Sequence, residues 1–263
     1  AFKVHSGGET DKCLDIVLLA EGYTKKETQK FVKDAQRFAG YLFDSDPFGT
    51  YKDKINVWVV PVVSQESGTD IPGQNIWKNT AMNSHFYTFG TERYLTTPDN
   101  KAVRDYAANA PYDQIYVLVN TDIYGGAGFY NSYSTCTADN RASDFVFTHE
   151  FGHAFAGLAD EYYADEVAVE DFFDLKYEPW QPNITTLVDF DSKWKSMVSE
   201  DTEIPTEFDK DNLLKIGAFE GAGYVAKGMY RPRYSCSMKS VIFNHFCPVC
   251  QKAFEDMLKF YTN

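Results

Sequence analysis

The strongest constraint on this chain is the five-residue stretch His149-Glu150-Phe151-Gly152-His153, which lies in an apolar segment. Residues four apart lie on one face of an α-helix about one turn apart, so a helix here directs both imidazoles to one point. Two histidines at this spacing, with a glutamate between them, form the H-E-x-x-H pattern of zinc hydrolases. The spacing therefore predicts a metal ion held by His149 and His153, with Glu150 beside it as a general base.

A hydrolytic zinc ion keeps three protein ligands and one open position, so a third ligand is needed. Two carboxylates follow the motif, Asp160 and Glu161, and both are chemically suitable. Gly157 is expected to end the helix, because glycine adopts the left-handed conformation of a helix stop without strain. A bend there returns the chain toward the metal, which favours Asp160 over Glu161.

The order of apolar runs and turn signals predicts the fold. Apolar runs at 13–20, 55–63 and 113–120 are predicted strands, and helical patterns at 24–43 and 99–108 lie between them. Alternating strands and helices predict an α/β upper lobe, with a twisted mixed sheet and helices. After Gly157 the regularity fades, so we expect an irregular, partly helical lower lobe that ends in a helix at 249–261.

Length and composition bound the number of domains. With 263 residues, 44% of them hydrophobic, the chain can build one sizeable core or two lobes around a cleft. We find no internal repeat and no linker long enough to separate independent domains. Residues 1–263 are therefore expected to form a single catalytic domain, with an N-terminal subdomain at 1–157 and a C-terminal subdomain at 158–263.

Charge and hydropathy exclude several classes of partner. The chain has 25 Lys and Arg against 38 Asp and Glu, a net charge of -13. Nucleic acid and anionic lipid both reward clustered positive charge, so neither is expected as a partner. No apolar run approaches the roughly 18 residues of a membrane span, so no membrane insertion is expected. These patterns leave the oligomeric state open.

An acidic run follows the motif. Residues 160–178 hold eight acidic residues against one lysine. Carboxylate oxygens suit calcium, but the run lacks the spacing of a calcium loop. Calcium is therefore the weaker cofactor expectation, and we interpret the run as a solvated face.

The five cysteines are Cys13, Cys136, Cys236, Cys247 and Cys250. An odd number leaves at least one thiol outside any intramolecular disulfide. Cys236, His245 and the C-x-x-C pair at 247 and 250 offer the ligand types of a second zinc site. A short motif of this kind is weak evidence, so we favour a local disulfide or ordinary thiols near a helix start.

The residues from His149 to Tyr162, HEFGHAFAGLADEY, resemble the motif of the IgA-specific metallopeptidase family, a branch of the metzincin-like zinc peptidases. Similar segments at 15–24, 219–222 and 230–232 extend the resemblance over most of the chain. Metzincins use H-E-x-x-H-x-x-G-x-x-H, whereas here the glycine comes one residue later and Asp160 replaces the third histidine. The family resembled carries the same variation, so the departure supports the narrower assignment.

The resemblance implies a metzincin-like fold with a methionine turn beneath the metal. Met238, in the segment SCSM, matches that turn, and an ordinary core methionine is the alternative. Many metzincins have a tyrosine two residues later, but this chain has Ser240 there. A tyrosine that assists the oxyanion or the substrate must then come from elsewhere, and the candidates are Tyr230, Tyr234 and Tyr162. The substrate would lie extended along an edge strand, for which residues 125–136 are the candidate.

The motif and the resemblance together predict a zinc-dependent endopeptidase with one catalytic Zn²⁺, acting on extended polypeptide or glycoprotein substrates. By the resemblance it would be secreted, periplasmic or at the cell surface of a bacterium. The family name suggests immunoglobulin A, but substrate does not follow from fold. The alternative is a glycan- or protein-binding module that keeps the fold without catalysis, and retention of Glu150 weighs against it. A zinc hydrolase acting on a non-peptide bond would share the same site and is weaker still.

Overall fold

The computed structural model of the 263-residue chain describes residues 1–163, 172–242 and 245–262. The chain divides into two compact units. The first consists of Ala1–Phe155 and Met257–Asn263, and the second of Ala156–Asp256. Among the described residues, no helix is sufficiently long and apolar to span a bilayer.

The first unit is built on a six-stranded mixed sheet with the strand order β1-β3-β2-β4-β6-β5. The strands are β1 (Phe2–His5), β2 (Leu14–Glu21), β3 (Ile55–Val60), β4 (Gln114–Val119), β5 (Gly126–Phe129) and β6 (Tyr133–Thr137). The four inner strands are parallel, and the edge strands β1 and β5 run antiparallel to their neighbours. The mixed α/β sheet expected from the sequence is thus confirmed. The short strand β1 lacks a long apolar run and was not predicted, whereas β5, at the sheet edge, and most of β6 fall within residues 125–136, the segment expected to hold an edge strand.

Among the described residues, three α-helices begin in the first unit. They are α1 (Thr28–Phe43), α2 (Asn100–Ala107) and α3 (Ser143–Ala156). Every residue of β2 and β4 is buried, as expected of parallel strands covered on both faces. α1 buries Phe31, Ala35, Phe38 and Leu42, whose spacing forms one apolar face of a helix.

The apolar side of α3 determines where its histidines point. Phe147 and Phe151, four residues apart, are both buried. The Phe147 ring lies 5.1 Å from that of Phe38 in α1 and 4.3 Å from that of Tyr116 in β4. The Tyr116 hydroxyl also donates to the Phe147 carbonyl at 3.0 Å. Successive side chains of an α-helix are rotated by about 100° about the helix axis. The His149 side chain therefore points about 200° away from that of Phe147, on the far side of the helix from these contacts.

The described part of the second unit contains little regular structure. It has a hairpin of β7 (Phe219–Ala222) and β8 (Val225–Arg231), and α4 (Pro248–Thr262) begins within it. One apolar cluster of the unit is small, formed by Ala159, Ile184, Ala222 and Met229 with Phe173 and Val225 packed against it. The C-terminal helix lies where the sequence predicted one.

Candidate active site

The two histidines of the motif come together on α3. Their Nε2 atoms are 3.2 Å apart, and their rings are nearly perpendicular, with centroids 4.8 Å apart. Two nitrogen ligands of a tetrahedral zinc ion, each bound at about 2.0–2.1 Å, are separated by about 3.3 Å. His149 is buried and His153 half-buried. The pair therefore fits the metal that the motif predicts.

Strand β5 lies directly against the motif. A methyl group on Gly128 would be 2.2 Å from the carbonyl oxygen of Glu150 and 2.9 Å from Cβ of His153. A methyl group on Gly126 would be 3.1 Å from Cγ of Glu150. The Ser134 hydroxyl in β6 donates to the same Glu150 carbonyl at 3.2 Å. The absence of side chains at the two glycines is thus what lets the strand approach the helix so closely.

The outer side of β5 carries backbone hydrogen-bonding groups beside the motif. The Gly126 N–H donates to the Arg93 carbonyl at 3.3 Å, and the Gly126 carbonyl accepts from the Leu95 N–H at 3.4 Å, so both groups point away from β6. Alternation along a strand places the N–H and carbonyl of Gly128 on the same outer side. The Gly128 N–H and carbonyl therefore point outward from the sheet edge next to His153. An extended peptide lying along this edge could form backbone hydrogen bonds with them.

Replacement of Gly128 by alanine is expected to lower the free energy of unfolding by about 1–3 kcal/mol, because the new Cβ overlaps a backbone oxygen that cannot rotate away. Gly40→Ala is the matched control. Gly40 lies inside α1, where a Cβ would meet no heavy atom within 4 Å beyond its chain neighbours and the backbone of its own helix, so alanine should stabilise the protein by about 0.5–1 kcal/mol. Denaturant unfolding measures both. Equal stability of the two variants would contradict the close packing of β5 on α3.

Asp160 belongs to the second unit, where the turn between β7 and β8 holds it. The Gly223 N–H donates to the Asp160 carbonyl at 2.9 Å, and the Tyr224 hydroxyl donates to the Asp160 carboxylate. Gly223 and Tyr224 both have positive φ, 57° and 68°, as the two central residues of a type I′ hairpin turn require. Asp160 is 6% exposed. Its carboxylate is therefore buried and oriented by a hydroxyl that the sequence reasoning missed, and the Gly-Tyr pair between two short strands was the available signal.

Glu161, the alternative third ligand, has a different environment from Asp160. Its Oε1 accepts from the Asn183 side-chain amide at 3.1 Å and lies 3.4 Å from the Cys250 sulfur. Its backbone N–H donates to the carbonyl of Met238 at 2.7 Å. Met238 is fully buried in the second unit. The methionine segment is thus joined directly to the residue that follows Asp160.

Comparison with models of known protein families assigns the chain to one of them. The family model described as IgA Peptidase M64 matches residues 3–216 and 212–258, which is nearly the whole length. The chain belongs to this family. The resemblance seen in the sequence is thereby confirmed, and the family identity implies a peptidase that uses a metal. A search of curated proteins found no match for the chain.

The three tyrosines considered for this M64 peptidase lie in different surroundings within the second unit. Burial raises the pKa of Tyr230, so its phenol remains a proton donor at neutral pH. The ring of Tyr234 stacks on Phe208 with centroids 3.8 Å apart. The ring of Tyr162 lies 5.4 Å from that of Tyr224. Of the three candidates, Tyr162 is therefore the one whose ring lies beside Tyr224, the residue whose hydroxyl donates to Asp160.

The acidic run of the M64 peptidase is only partly described. Residues 164–171, which carry four of its acidic side chains, lie outside the described residues. At the described end of the run, the Asp174 carboxylate accepts from the Lys176 N–H, and the Glu178 carboxylate accepts from the Asp189 N–H, both at 3.0 Å. Within the described part of the chain, no group of three metal ligands includes a residue of 172–178. Calcium binding there stays a prediction without support.

Proposed function

We propose that this M64 peptidase is a zinc-dependent endopeptidase whose catalytic metal is held by His149, His153 and Asp160. The observation that carries the proposal is the 3.2 Å separation of the two histidine Nε2 atoms. The three side chains offer two imidazole nitrogens and a carboxylate oxygen, which are ligand types that zinc accepts. Gly157, with φ of 62°, turns the chain directly after α3 and three residues before Asp160. This local bend supports Asp160 as the third ligand.

Glu150 would be the general base. When bound, a zinc ion supplies the Lewis acid, which lowers the pKa of a water molecule and polarises the scissile carbonyl. Glu150 accepts the proton of the attacking water and passes it to the leaving amine. The Glu150 backbone is anchored by Ser134 and packed against Gly128, so its carboxylate acts from a fixed position beside β5.

The substrate would be an extended polypeptide or glycoprotein paired with β5. Backbone pairing at Gly128 grips a peptide without reading much of its sequence, which suits an endopeptidase. Tyr124 and Tyr130 flank β5 and are about half exposed, at 43% and 50%, so their rings are accessible for contacts with a substrate.

The metzincin-like assignment extends this proposal to the remaining residues. Met238 would be the methionine of the turn beneath the metal, and Tyr162, Tyr230 or Tyr234 would assist the oxyanion or substrate. Residues 1–263 would act as one catalytic domain outside the cytoplasm. Family membership favours this peptidase over a binding module that keeps the fold without catalysis.

Removal of the metal tests the proposal. Incubation with an unfolded polypeptide, such as reduced and alkylated casein, is expected to give internal cleavage, read from fragment masses. A chelator should reduce the rate to background, and added zinc should restore it, because the Lewis acid is lost and regained. Cleavage that persists in the chelator, or stepwise loss of single terminal residues, would contradict a zinc endopeptidase. Binding of the polypeptide without cleavage would instead support the binding module.

A further inference from the structure

Four buried metal-ligating side chains meet in the second unit, apart from the histidine motif. They are Glu161, Cys236, Cys247 and Cys250, and one ligand atom from each lies within 4.8 Å of the others. None of the four is more than 1% exposed. All five cysteines of the chain are free thiols, so of the two interpretations favoured from the sequence, a local disulfide is absent and thiols near a helix start remain.

The distances in this cluster match a tetrahedral metal site. The Cys250 sulfur is 3.8 Å from the Cys236 sulfur, 3.6 Å from the Cys247 sulfur and 3.4 Å from Oε1 of Glu161. Zinc bonds of about 2.3 Å to sulfur and about 2.0 Å to oxygen, at tetrahedral angles, separate two sulfurs by about 3.8 Å and a sulfur from an oxygen by about 3.5 Å. A disulfide would bring two sulfurs to about 2.05 Å. The cluster therefore has the spacing of ligands around one ion.

A second observation points to a missing partner. Oε2 of Glu161 is buried and has no hydrogen-bond partner among the described residues. A buried polar atom left without a partner costs about 1–3 kcal/mol, so such atoms are rare unless another group satisfies them. A cation held by the Glu161 carboxylate would satisfy the group and also offset the cost of burying its charge.

The local structure favours thiolates at this position. Pro248 is the first residue of α4, so Cys247 and Cys250 lie at the positive N-terminal end of that helix. The Cys247 N–H donates to the Cys236 sulfur at 3.2 Å, a hydrogen bond that stabilises a thiolate ligand. Arg231 lies close enough to Glu161 for their charges to interact, which partly offsets the negative charge of the cluster.

We propose that Glu161, Cys236, Cys247 and Cys250 bind a second zinc ion, at a structural site. All four tetrahedral positions would be protein ligands, so this site has no open position for a substrate or an attacking water. His245, which the sequence grouped with these cysteines, is not a member of the cluster, and its backbone carbonyl accepts from the Ser237 N–H at 3.0 Å. Glu161 takes the fourth place instead.

The ion would link the segments that contain the proposed metal ligand Asp160 and the proposed methionine turn. Glu161 directly follows Asp160, and Cys236 comes two residues before Met238. In the described residues of the second unit, the regular structure is one short hairpin, short 3₁₀ turns and the start of α4, so regular structure contributes little stability there. Metal binding contributes directly to folding in such units, because the ligands are not assembled in the unfolded chain.

The test is zinc content together with X-ray absorption at the zinc edge, on the whole chain purified under reducing conditions. We expect two zinc ions per chain and a sulfur shell at about 2.3 Å, which the histidine–aspartate site cannot supply. Cys250→Ser should reduce the content to one ion and remove the sulfur shell, because the remaining ion has no sulfur ligand. Cys13→Ser, a buried cysteine outside the cluster, should keep both ions and the shell.

A variant that fails to fold does not prevent the test, because an organomercurial can titrate the thiols of the wild-type protein. It should release one zinc ion and leave the other bound. The double variant His149→Ala/His153→Ala should retain one ion with the full sulfur shell, even if the peptidase proposal fails. Zinc coordinated only by nitrogen and oxygen in the wild type, or no release by the mercurial, would overturn the second site. A native disulfide between any two of the three cysteines would also overturn it.

Discussion

Replacement of Glu150 by glutamine is expected to reduce kcat for peptide cleavage at least 100-fold while leaving zinc content unchanged. Glutamine keeps the shape of the side chain but cannot accept a proton from water, and general-base catalysis contributes about 10²–10⁴-fold to rates. The two histidines on α3 are untouched, so the metal ligands remain. Initial rates on a quenched-fluorescent peptide, together with metal analysis of the same sample, measure both quantities.

Glu200→Gln provides the matched control for this substitution. Glu200 is an exposed residue of the second unit, so the same chemical change there should leave kcat and zinc content at wild-type values. Loss of zinc from Glu150→Gln would show that Glu150 is a ligand or supports one. Full activity in that variant would remove Glu150 from the mechanism.

Asp160→Ala is expected to release the catalytic zinc and abolish cleavage, because two imidazoles alone bind zinc weakly compared with three ligands. Tyr224→Phe should have a graded effect. It removes the hydroxyl that donates to the Asp160 carboxylate but keeps the ring. Loss of a group that orients a ligand typically weakens metal affinity by about 10–100-fold, so kcat at saturating zinc should stay near the wild-type value. Competition with a chelator of known affinity measures the zinc dissociation constant.

Asp191→Ala is the control for the loss of a carboxylate. The Asp191 side chain is 81% exposed and pairs with Lys195, and such a surface pair contributes at most about 1 kcal/mol. The zinc affinity of the Asp191→Ala variant should equal that of the wild type. Wild-type affinity in Asp160→Ala would contradict the ligand assignment, and equal affinities of Tyr224→Phe and wild type would exclude an orienting role for the hydroxyl.

The parts of this M64 peptidase that were predicted correctly depend on patterns within one segment. The apolar runs of β2, β3 and β4 and the helical spacing of α1 and α3 each lie within about 16 residues. The convergence of His149 and His153 follows in the same way, because an interval of four residues on a helix is a local geometric fact. The family motif could likewise be read without knowledge of the fold.

The parts that were missed depend on contacts between distant positions. Tyr224 reaches Asp160 across 64 positions, and Cys250 reaches Glu161 across 89. An edge strand at 125–136 was predicted, but the contact of Gly126 and Gly128 with Glu150 was missed, because the role of a glycine in a strand depends on what packs against it.

The sequence by itself determined that α3 presents two imidazoles and a carboxylate on a helix, since backbone geometry and residue spacing suffice for that. Only the tertiary structure decided which neighbours these groups have. It gives the two adjacent acidic residues different surroundings. The Asp160 carboxylate accepts from the Tyr224 hydroxyl, and the Glu161 carboxylate lies with three cysteines. The physical reason is that the side chains of consecutive residues point in different directions from the backbone. Only folding determines which distant side chains they meet.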